Sequence, residues 1–367
     1  MMEMMDGLMN TMLSNQVSIP LIEPMLDMLQ GIPMVGYIIA LVLWKPFFAI
    51  VICPGLTVGG ISLLFFPWIE RKLCARIQWR VGPHEIVWWL GGAIQILADT
   101  LRFLFQEVIV HKDAHKRYFL QFPFLTFIAF LLPLLFIPAG NIVAIRTPYG
   151  MQIVLLLICL FPLFVMGLGW ASNSRFAYIG TVREAFMYFA EEIPFIIAAL
   201  AMIILYKTSD LTSMASAQFI PGIILNPIAA LAFFIAAAMA TARMPFEIAE
   251  SDQELCAGPH VEYSGIAFGL IYVLCYEKGY IISGLITVLF LGGGSGPDIP
   301  YITPLLGDLC GAFWFILKTY FVMTTLFVLR TIYPRYRLDQ GLKIGWSPML
   351  TLAVIALALS LVEVAVI

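Results

Sequence analysis

The chain of 367 residues is 61% hydrophobic and only 12% charged, and its mean hydropathy is +0.95. This composition excludes a soluble globular protein, because the polar side chains are too few to cover its surface. The net charge of −3 excludes nothing further, since in a membrane protein the distribution of charge among the loops matters more than the sum. We therefore predict an all-α polytopic membrane protein.

The N-terminal segment, residues 1–33, begins MMEMMDG and is acidic. It lacks the basic start and the small-residue cleavage site of a signal peptide, so we expect it outside the bilayer or along its surface. Residues 34–367 then form a single membrane domain. Apolar stretches long enough to cross a ~30 Å hydrocarbon core recur along this domain. We place about eight transmembrane helices near residues 47–69, 119–138, 150–171, 184–206, 218–240, 264–291, 309–331 and 347–367.

The basic residues are distributed unevenly among the connections between these predicted helices. Of the 20 Lys and Arg residues, 15 fall on one side of the predicted membrane and three on the other. The basic connections are residues 70–118, 172–183, 241–262 and 330–346. Because loops rich in Lys and Arg stay in the cytoplasm, we predict that these four face the cytoplasm and that the protein is a multi-pass protein of the cell (plasma) membrane.

The cysteines and histidines form no pattern typical of a metal or cofactor site. The six cysteines show no CxxC pairing, and only four histidines are present. Most of the cysteines fall in apolar stretches, where a thiol acts as a small buried hydrophobe. We expect no metal, iron–sulfur or haem site in this chain, so any electrons would be carried by a partner.

The connection after the first predicted span combines basic residues with bulky apolar ones. It reads ERKLCARIQWRVGP from Glu70 and continues through Trp88 and Trp89 to QILAD, which ends at Asp99. Residues 86–105 fit an interfacial helix followed by the start of a buried one. By composition alone, the segment is also typical of a basic membrane anchor whose arginines reach the headgroups.

The fourth predicted span contains acids at unusual depth. Its sequence REAFMYFAEEIP places Glu184, Glu191 and Glu192 at i, i+7 and i+8, on one face of a helix. Carboxylates in a membrane helix are unfavourable, and they are functional candidates by default. A position among the headgroups would explain Glu184 but not the adjacent pair. Pro194 removes one backbone hydrogen bond and is expected to bend the helix.

An acidic stretch interrupts the apolar sequence between the fifth and sixth predicted spans. It contains five acids and no Lys or Arg, namely Glu247, Glu250, Asp252, Glu254 and Glu262. Read as a helix that begins at Pro245, it places Glu247, Glu250 and Glu254 on one face. A solvated acidic loop is the simplest interpretation. The apolar residues between the acids favour a packed segment instead, and packed acids at a membrane boundary favour proton transfer.

Two later segments also contain charged residues. In the sixth predicted span, Glu277 is followed by Lys278, which is a candidate partner for Glu277 or Glu192. Near the C terminus, YPRYRLDQ contains Arg337 and Asp339. By composition this segment is typical of a basic cap on the last cytoplasmic loop.

Four of these motifs resemble one protein family. The stretch FEIAESDQELCAGPHVEYSG resembles the F-D-x-P-E-x-E-x-E-L-x-A-G-x-x-x-E-Y-S-G signature of the H subunit (mitochondrial subunit 1) of respiratory complex I and its relatives, which include membrane-bound hydrogenases and deazaflavin-linked dehydrogenases. It differs at Ala249, where the family usually has Pro, and at Asp252, where it usually has Glu. Residues 70–99 are similar to the family's E-R-R/K … Q-x-R-x-G-P … Q-x-L-A-D, and YPRYRLDQ is similar to L-P-R-x-R-Y-D-Q. The string GWASN at 169–173 also matches, and we expect a helix to stop there.

The resemblance implies a membrane subunit of a proton-translocating quinone oxidoreductase without its own redox centre. Part of the chamber for a lipid quinone is then expected at Glu70, Arg71, Asp99, Arg337 and Asp339. A carboxylate path that couples acceptor reduction to proton translocation is expected at Glu184, Glu191, Glu192, Glu247, Glu250, Asp252, Glu254 and Glu262. Among the acids of the fourth span, Glu192 matches the family position, whereas Glu191 is additional.

The same resemblance implies the partners. They are other membrane-arm subunits, a cytoplasmic subunit with iron–sulfur clusters, the lipid quinone and membrane lipids, with no nucleic acid. Two other functions remain open. The chain could anchor a membrane-bound hydrogenase or a formate-linked complex without a quinone, because the family's second motif P-N-R-V-G-P is missing after Pro83. A stand-alone proton or cation transporter would also carry intramembrane acids, but the two halves show no inverted repeat.

Overall fold

The structure is a computed structural model of the chain, and it describes residues 15–21, 24, 33–84, 89, 91–297, 300 and 303–366. Throughout these residues the regular secondary structure is helical, apart from two isolated β-bridges. The predicted all-α class is confirmed. Most of the predicted N-terminal segment lies outside the described residues. So does Trp88, whereas Trp89 is exposed.

The helices divide into two groups along the chain. The first group is α1 (Pro33–Leu43), α2 (Lys45–Val51), α3 (Leu56–Ile77), α4 (Ile94–Phe105), α5 (Lys116–Leu131), α6 (Gly150–Cys159), α7 (Phe161–Ser172) and α8 (Arg175–Tyr206). The second group is α9 (Leu211–Ser216), α10 (Gly222–Leu225), α11 (Pro227–Ala240), α12 (Asp252–Leu255), α13 (Gly265–Phe290), α14 (Thr303–Leu306), α15 (Asp308–Ile332), α16 (Leu338–Ile344) and α17 (Leu350–Val366). A short 3₁₀ turn extends α5, and a π-helical turn, Gly345–Met349, joins α16 to α17.

Seven helical stretches of the described residues are long and apolar enough to cross a membrane. They coincide with seven of the eight predicted spans, and a multi-pass membrane protein is therefore confirmed. They comprise α2 with α3, α5 with its 3₁₀ turn, α6 with α7, α8, α13, α15, and α16 with α17.

The predicted span at 218–240 differs from the other seven. Its helix α11 has 14 residues, about 21 Å at 1.5 Å per residue, which is shorter than the hydrocarbon core. Asn226 ends α10 and caps α11, because its side chain accepts a hydrogen bond of 2.9 Å from the backbone N–H of Ala229. The Asn226 amide also donates to the Ala356 carbonyl and the Ser360 hydroxyl of α17, at 2.9 Å each. The fully buried Asn226 therefore ties the start of α11 to the last helix.

Several helices extend beyond their predicted ends. Helix α8 begins at Arg175, so the predicted loop 172–183 reduces to a turn at 173–174. Asn173 adopts the left-handed conformation (φ +50°) that ends α7, and the helix stop predicted at GWASN is confirmed. Helix α3 contains Glu70 and continues to Ile77, so Glu70 is helical rather than in a loop. These ends continue because charged side chains can leave the apolar region while their backbone stays helical.

The acidic stretch does not form the predicted helix. Residues 242–251 form turns, and only α12 and a 3₁₀ turn at Gly258–His260 are helical. Positive φ angles at Cys256 and Ala257 are incompatible with a continuing helix. The prediction that Glu247, Glu250 and Glu254 share one helical face was therefore wrong. The prediction of a packed segment is confirmed, since the apolar residues between the acids, Phe246, Ile248 and Leu255, are buried.

Helix α13 lies at the centre of the bundle, and nearly all of its C-terminal half is buried. Helices α3, α4, α5, α11 and α15 pack around it. On the other side, α8 packs against α7, α11 and α17. This arrangement brings the acids of α8 close to the polar residues of α13, with the acidic stretch closing one end of the space between them.

Candidate functional site

A cavity of about 390 Å³ lies between α3, α4 and α13. Its wall is mostly apolar, with side chains such as Leu63, Ile96 and Phe103. The polar lining residues are Arg71, Asp99, Thr100, Tyr272 and Tyr276. An apolar cavity with a few convergent polar groups is typical of a binding site for a small molecule.

Arg71 and Asp99 face each other across this cavity wall. The Arg71 Nη1 atom lies 2.7 Å from Asp99 Oδ2, and the two side chains are 39% and 30% exposed. Gln95 Nε2 donates a longer hydrogen bond of 3.4 Å to Asp99 Oδ1. The motifs at 70–71 and 95–99 thus meet in space, as one site shared between α3 and α4. Two of the five residues expected in the chamber line the cavity.

Glu70 lies directly behind the cavity and is almost completely buried. Its Oε1 atom contacts Nη1 of Arg330 and lies 3.3 Å from Nη1 of Arg243. Its Oε2 atom accepts a hydrogen bond of 2.6 Å from the Tyr276 hydroxyl. The Arg243 guanidinium also stacks over the Tyr276 ring, 4.3 Å from its centroid. Glu70 is therefore the centre of an ion-pair network between α3, α13, α15 and the acidic stretch.

The network continues to Glu247 in the acidic stretch. Glu247 Oε1 lies 3.7 Å from Arg330 Nη2, and Glu247 Oε2 lies 3.5 Å from Arg335 Nη2. Burial and the neighbouring Glu250 raise the pKa of Glu247, whereas Arg335 and Arg243 oppose the increase. The cations are too distant for well-formed hydrogen bonds, and Oε2 of Glu247 has none, so burial dominates.

A second polar row lies between α8 and α13. Glu250 Oε1 lies 3.7 Å from His260 Nε2, and the Cys275 thiol donates to the same oxygen at 3.4 Å. A void of about 30 Å³ touches Glu250, Glu184 and Lys278, which is enough space for a water molecule. A smaller void of about 10 Å³ touches Glu184 and Glu191. The row therefore runs from the acidic stretch along the buried face of α8.

The two adjacent acids of α8 differ in burial. Glu191 is 2% exposed and lies on the face of Glu184, one turn beyond Tyr188. Glu192 is only partly buried, and its Oε1 atom has no hydrogen-bond partner. The prediction that all three acids share one face thus holds for Glu184 and Glu191, while Glu192 lies at its edge. Helix α8 is continuous through Pro194.

Lys278 does not pair with either predicted partner. It donates to the Tyr188 hydroxyl, and its ammonium lies 4.1 Å from the centroid of the Tyr188 ring. Glu277 is 1% exposed, and neither carboxylate oxygen has a hydrogen-bond partner. The two residues diverge because adjacent positions on a helix are about 100° apart.

The remaining predicted site residues lie nearer the surface. Glu254 pairs with Arg183, and Glu262 Oε2 lies 4.0 Å from His111 Nδ1. The side chain of Asp252 is outside the described part of the structure. Arg337 and Asp339 pair at 3.3 Å, with 79% and 70% of their side chains exposed. Neither lines the 390 Å³ cavity; both line a separate surface pocket of about 240 Å³.

Sequence reasoning missed several residues of this site. Arg243, Arg330 and Tyr276 form most of the Glu70 network, and Tyr188 and His260 belong to the second row. One usable signal was present, because Tyr272 and Tyr276 are spaced i, i+4 and therefore share a face of an otherwise apolar helix. No group of three or more His, Cys, Asp or Glu residues suited to a metal ion occurs within the described ranges.

Comparisons with known proteins agree on one family. A family model described as NADH dehydrogenase matches residues 49–361. The H subunit of NADH-quinone oxidoreductase from Dehalococcoides mccartyi (strain CBDB1) is 30% identical over 305 residues, covering 83% of each chain. The protein of the same name from Chlorobaculum parvum (strain DSM 263 / NCIMB 8327) is 32% identical over 339 residues, covering 88% of this chain and 94% of that one.

A solved structure has a similar fold. It is a chain of the membrane-bound sulfane sulfur reductase, an archaeal respiratory membrane complex. The two chains superpose with a TM-score of 0.73 at 25% sequence identity. The match covers 86% of this chain and 98% of the other.

Proposed function

Because the chain belongs to the NADH dehydrogenase family, which includes the H subunits of NADH-quinone oxidoreductases, we propose that it forms part of the site of lipid-quinone reduction in a complex of that type. We propose further that its carboxylates couple this reduction to proton translocation. The electrons come from iron–sulfur clusters in a partner subunit, and this chain contributes binding, positioning and proton transfer.

The acceptor binds in the 390 Å³ cavity between α3, α4 and α13. Its apolar wall suits an isoprenoid tail, and its volume lies within the range of small-molecule sites. Arg71, which is held by Asp99, is the charged donor for a reduced quinone oxygen. The predicted chamber residues Arg337 and Asp339 lie on the surface from which a second subunit would complete the chamber.

One observation carries the proposal: Tyr276 lines the cavity and also hydrogen-bonds to Glu70. A change of charge in the cavity therefore acts on Glu70 through a single side chain. From Glu70 the ion pairs lead through Arg330 to Glu247. In a setting of low dielectric, a unit charge within a few Å changes protonation equilibria strongly.

The proton path continues from the acidic stretch into the membrane. Glu247 and Glu250 respond first, and the row of Glu184, Glu191 and Glu192 carries the proton onward. The proposed outer members, which connect the path to water, are Asp252, Glu254 and Glu262. Water in the 30 Å³ void beside Glu184 and Glu250 would bridge the two parts of this path.

The proposed location is the plasma membrane, with the acidic stretch facing the cytoplasm. The bias of Lys and Arg towards that side supports this orientation. The partners are then other membrane-arm subunits and a cytoplasmic iron–sulfur subunit. Membership of a multi-subunit family argues against a stand-alone transporter.

A second candidate function is supported by the similarity to a chain of a sulfane sulfur reductase. The chain would then anchor a redox complex that uses no quinone. Lipid extraction from the purified complex distinguishes the two. A quinone present in near-stoichiometric amount supports the quinone site, whereas its absence, together with no quinone-dependent turnover, supports the anchor.

Arg71→Met tests the proposed acceptor site. Methionine keeps the length of the side chain but removes the charge and the donors. We expect reduction of the lipid quinone by the purified complex to fall about tenfold or more, while reduction of an artificial soluble acceptor is unchanged. The control is Arg146→Met, which removes a mostly exposed arginine paired with Asp210. Wild-type quinone reduction by the Arg71 variant would show that the cavity is not the acceptor site.

A further inference from the structure

A surface pocket of about 240 Å³ lies beside the acidic stretch, on the side of the molecule where α15 ends and α16 begins. It is bounded by α8, by residues 248–254 and by residues 335–339. Three arginines contribute to its wall, Arg183, Arg335 and Arg337, together with the two acids Glu254 and Asp339.

The pocket contains polar groups without partners. Ser251 is 2% exposed, and its hydroxyl has no hydrogen-bond partner. The Arg335 Nε–H is also buried and unpaired, although Nη2 of the same guanidinium contacts Glu247. Buried donors without acceptors are rare in folded proteins, so both groups indicate that a ligand with acceptor oxygens binds here.

We propose that this pocket receives one carboxylate side chain of a cytoplasmic partner subunit. This proposal rests on the proposed function, which provides such a partner, and it specifies the contact. Arg335 and Ser251 donate to the incoming carboxylate, and Arg183 and Arg337 form the charged rim. Guanidinium groups are well suited to this role, because their planar donors match the two oxygens of a carboxylate.

The local charge favours a carboxylate over a phosphate. The three arginines and two acids of the wall leave one positive charge. The ion pairs behind the wall add Arg243 and Arg330 against Glu70 and Glu247, which leaves the net charge unchanged. A single carboxylate neutralises this excess, whereas a phosphate dianion would leave a negative charge close to Glu254 and Asp339.

The pocket is connected to the cavity through charged side chains. Arg335 contacts Glu247, which contacts Arg330, and Arg330 pairs with Glu70. Glu70 in turn accepts the hydrogen bond from Tyr276 at the cavity wall. A partner carboxylate at Arg335 therefore adds the outermost member to an alternating series of charges. Docking of the partner and the electrostatics of the cavity become linked.

Arg337→Lys provides a direct test in the intact complex. The substitution keeps the positive charge and introduces an amine, which a water-soluble carbodiimide joins to a carboxylate in contact with it. We expect mass spectrometry to find an amide bond between position 337 and an Asp or Glu of a cytoplasmic subunit. Arg146→Lys, at a mostly exposed arginine paired with Asp210, is the matched control and should give no bond to that subunit. Bonds found only within this chain would overturn the proposal.

Arg337→Glu gives an independent measurement. Residue 337 is 79% exposed at its side chain, so the charge reversal should leave the fold intact. We expect the cytoplasmic subunits to dissociate from the variant complex about tenfold more readily, and at lower salt than from wild type. Retention up to the wild-type salt concentration would count against docking here. Failure of the Arg71 test with these results intact would reject the quinone site and leave the docking pocket standing.

Discussion

The Tyr276 hydroxyl and the Glu70 carboxylate are joined by a hydrogen bond of 2.6 Å, and the two residues face different environments. Tyr276 lines the apolar cavity, whereas Glu70 is enclosed by Arg243 and Arg330. This bond is the most direct connection between the proposed acceptor site and the ion pairs that lead to the acidic stretch. The first two predictions concern its two ends.

Tyr276→Phe should slow quinone reduction while leaving the complex assembled. A hydrogen bond to a charged group is worth about 1.5–3 kcal/mol, so its loss corresponds to about a tenfold lower rate. The measurement is turnover with the lipid quinone, compared with an artificial soluble acceptor. Tyr320→Phe makes the same chemical change at a hydroxyl that bonds to Ser62 instead, and it should be close to wild type. Equal rates for the two variants would contradict the role of Tyr276.

Glu70→Gln should destabilise the protein strongly. It leaves the buried guanidiniums of Arg243 and Arg330 without their shared carboxylate, and breaking a buried ion pair typically costs about 3–5 kcal/mol. We expect a large loss of folded protein and a lower thermal midpoint in detergent. Asp339→Asn removes an exposed acid paired with Arg337 and should cost no more than about 1 kcal/mol. Similar midpoints for both variants would show that Glu70 is not essential to the network.

Glu191→Gln should stop proton translocation more completely than Glu192→Gln. Glutamine keeps the volume and can hydrogen-bond, but it cannot release a proton. Burial places Glu191 with Glu184 along the voids, whereas the family resemblance favours Glu192. We expect acidification by proteoliposomes to fall about tenfold or more for Glu191→Gln, with reduction of a soluble acceptor retained. The opposite order would assign the relay to Glu192.

Glu247 should make stability depend on pH. Burial and Glu250 raise its pKa above the ordinary value of 4.5, so the folded state binds this proton more tightly than the unfolded state does. As the pH rises from the ordinary value to the raised value, the unfolded state ionises first, and the folded protein loses stability. Below this interval the protonated form provides its full contribution.

The thermal midpoint of the purified complex, measured from about pH 4 to about pH 8, tests this expectation. Glu247→Gln cannot ionise, and its midpoint should decrease less over the interval than that of wild type. Glu254→Gln is the control, because Glu254 is mostly exposed beside Arg183. Parallel pH curves for wild type and Glu247→Gln would show that Glu247 has an ordinary pKa.

The transmembrane helices were predictable because hydropathy is a local property that each stretch of sequence carries by itself. Seven predicted spans coincide with long helices of the structure. The exception, α11, is short because Asn226 and Pro227 end the preceding helix, and its place depends on contacts with α17. The helical interpretation of the acidic stretch failed for a similar reason. Its backbone follows the surfaces of α8 and α13 rather than its own periodicity.

The site was predictable only where a motif kept its members together. Arg71 and Asp99 were identified from neighbouring strings and meet in the cavity. Arg330 was assigned to a basic loop, because nothing in its local sequence indicates that it reaches Glu70, 260 positions away. The acids of 247–262 carry no basic residue among them, yet arginines and histidines from other segments pair with them. Such pairings follow from the fold and are absent from local sequence.

The bond between Asn226 and α17 has a consequence for how the protein is made. The acceptors of the Asn226 amide, Ala356 and Ser360, are among the last residues to leave the ribosome. Until they arrive, this amide has no partner from α17, and an unsatisfied polar group in hydrocarbon costs several kcal/mol. A helix of 14 residues gains too little from lipid to offset this. The nascent chain is therefore expected to hold α11 at the membrane surface until synthesis of the C-terminal helix allows it to enter.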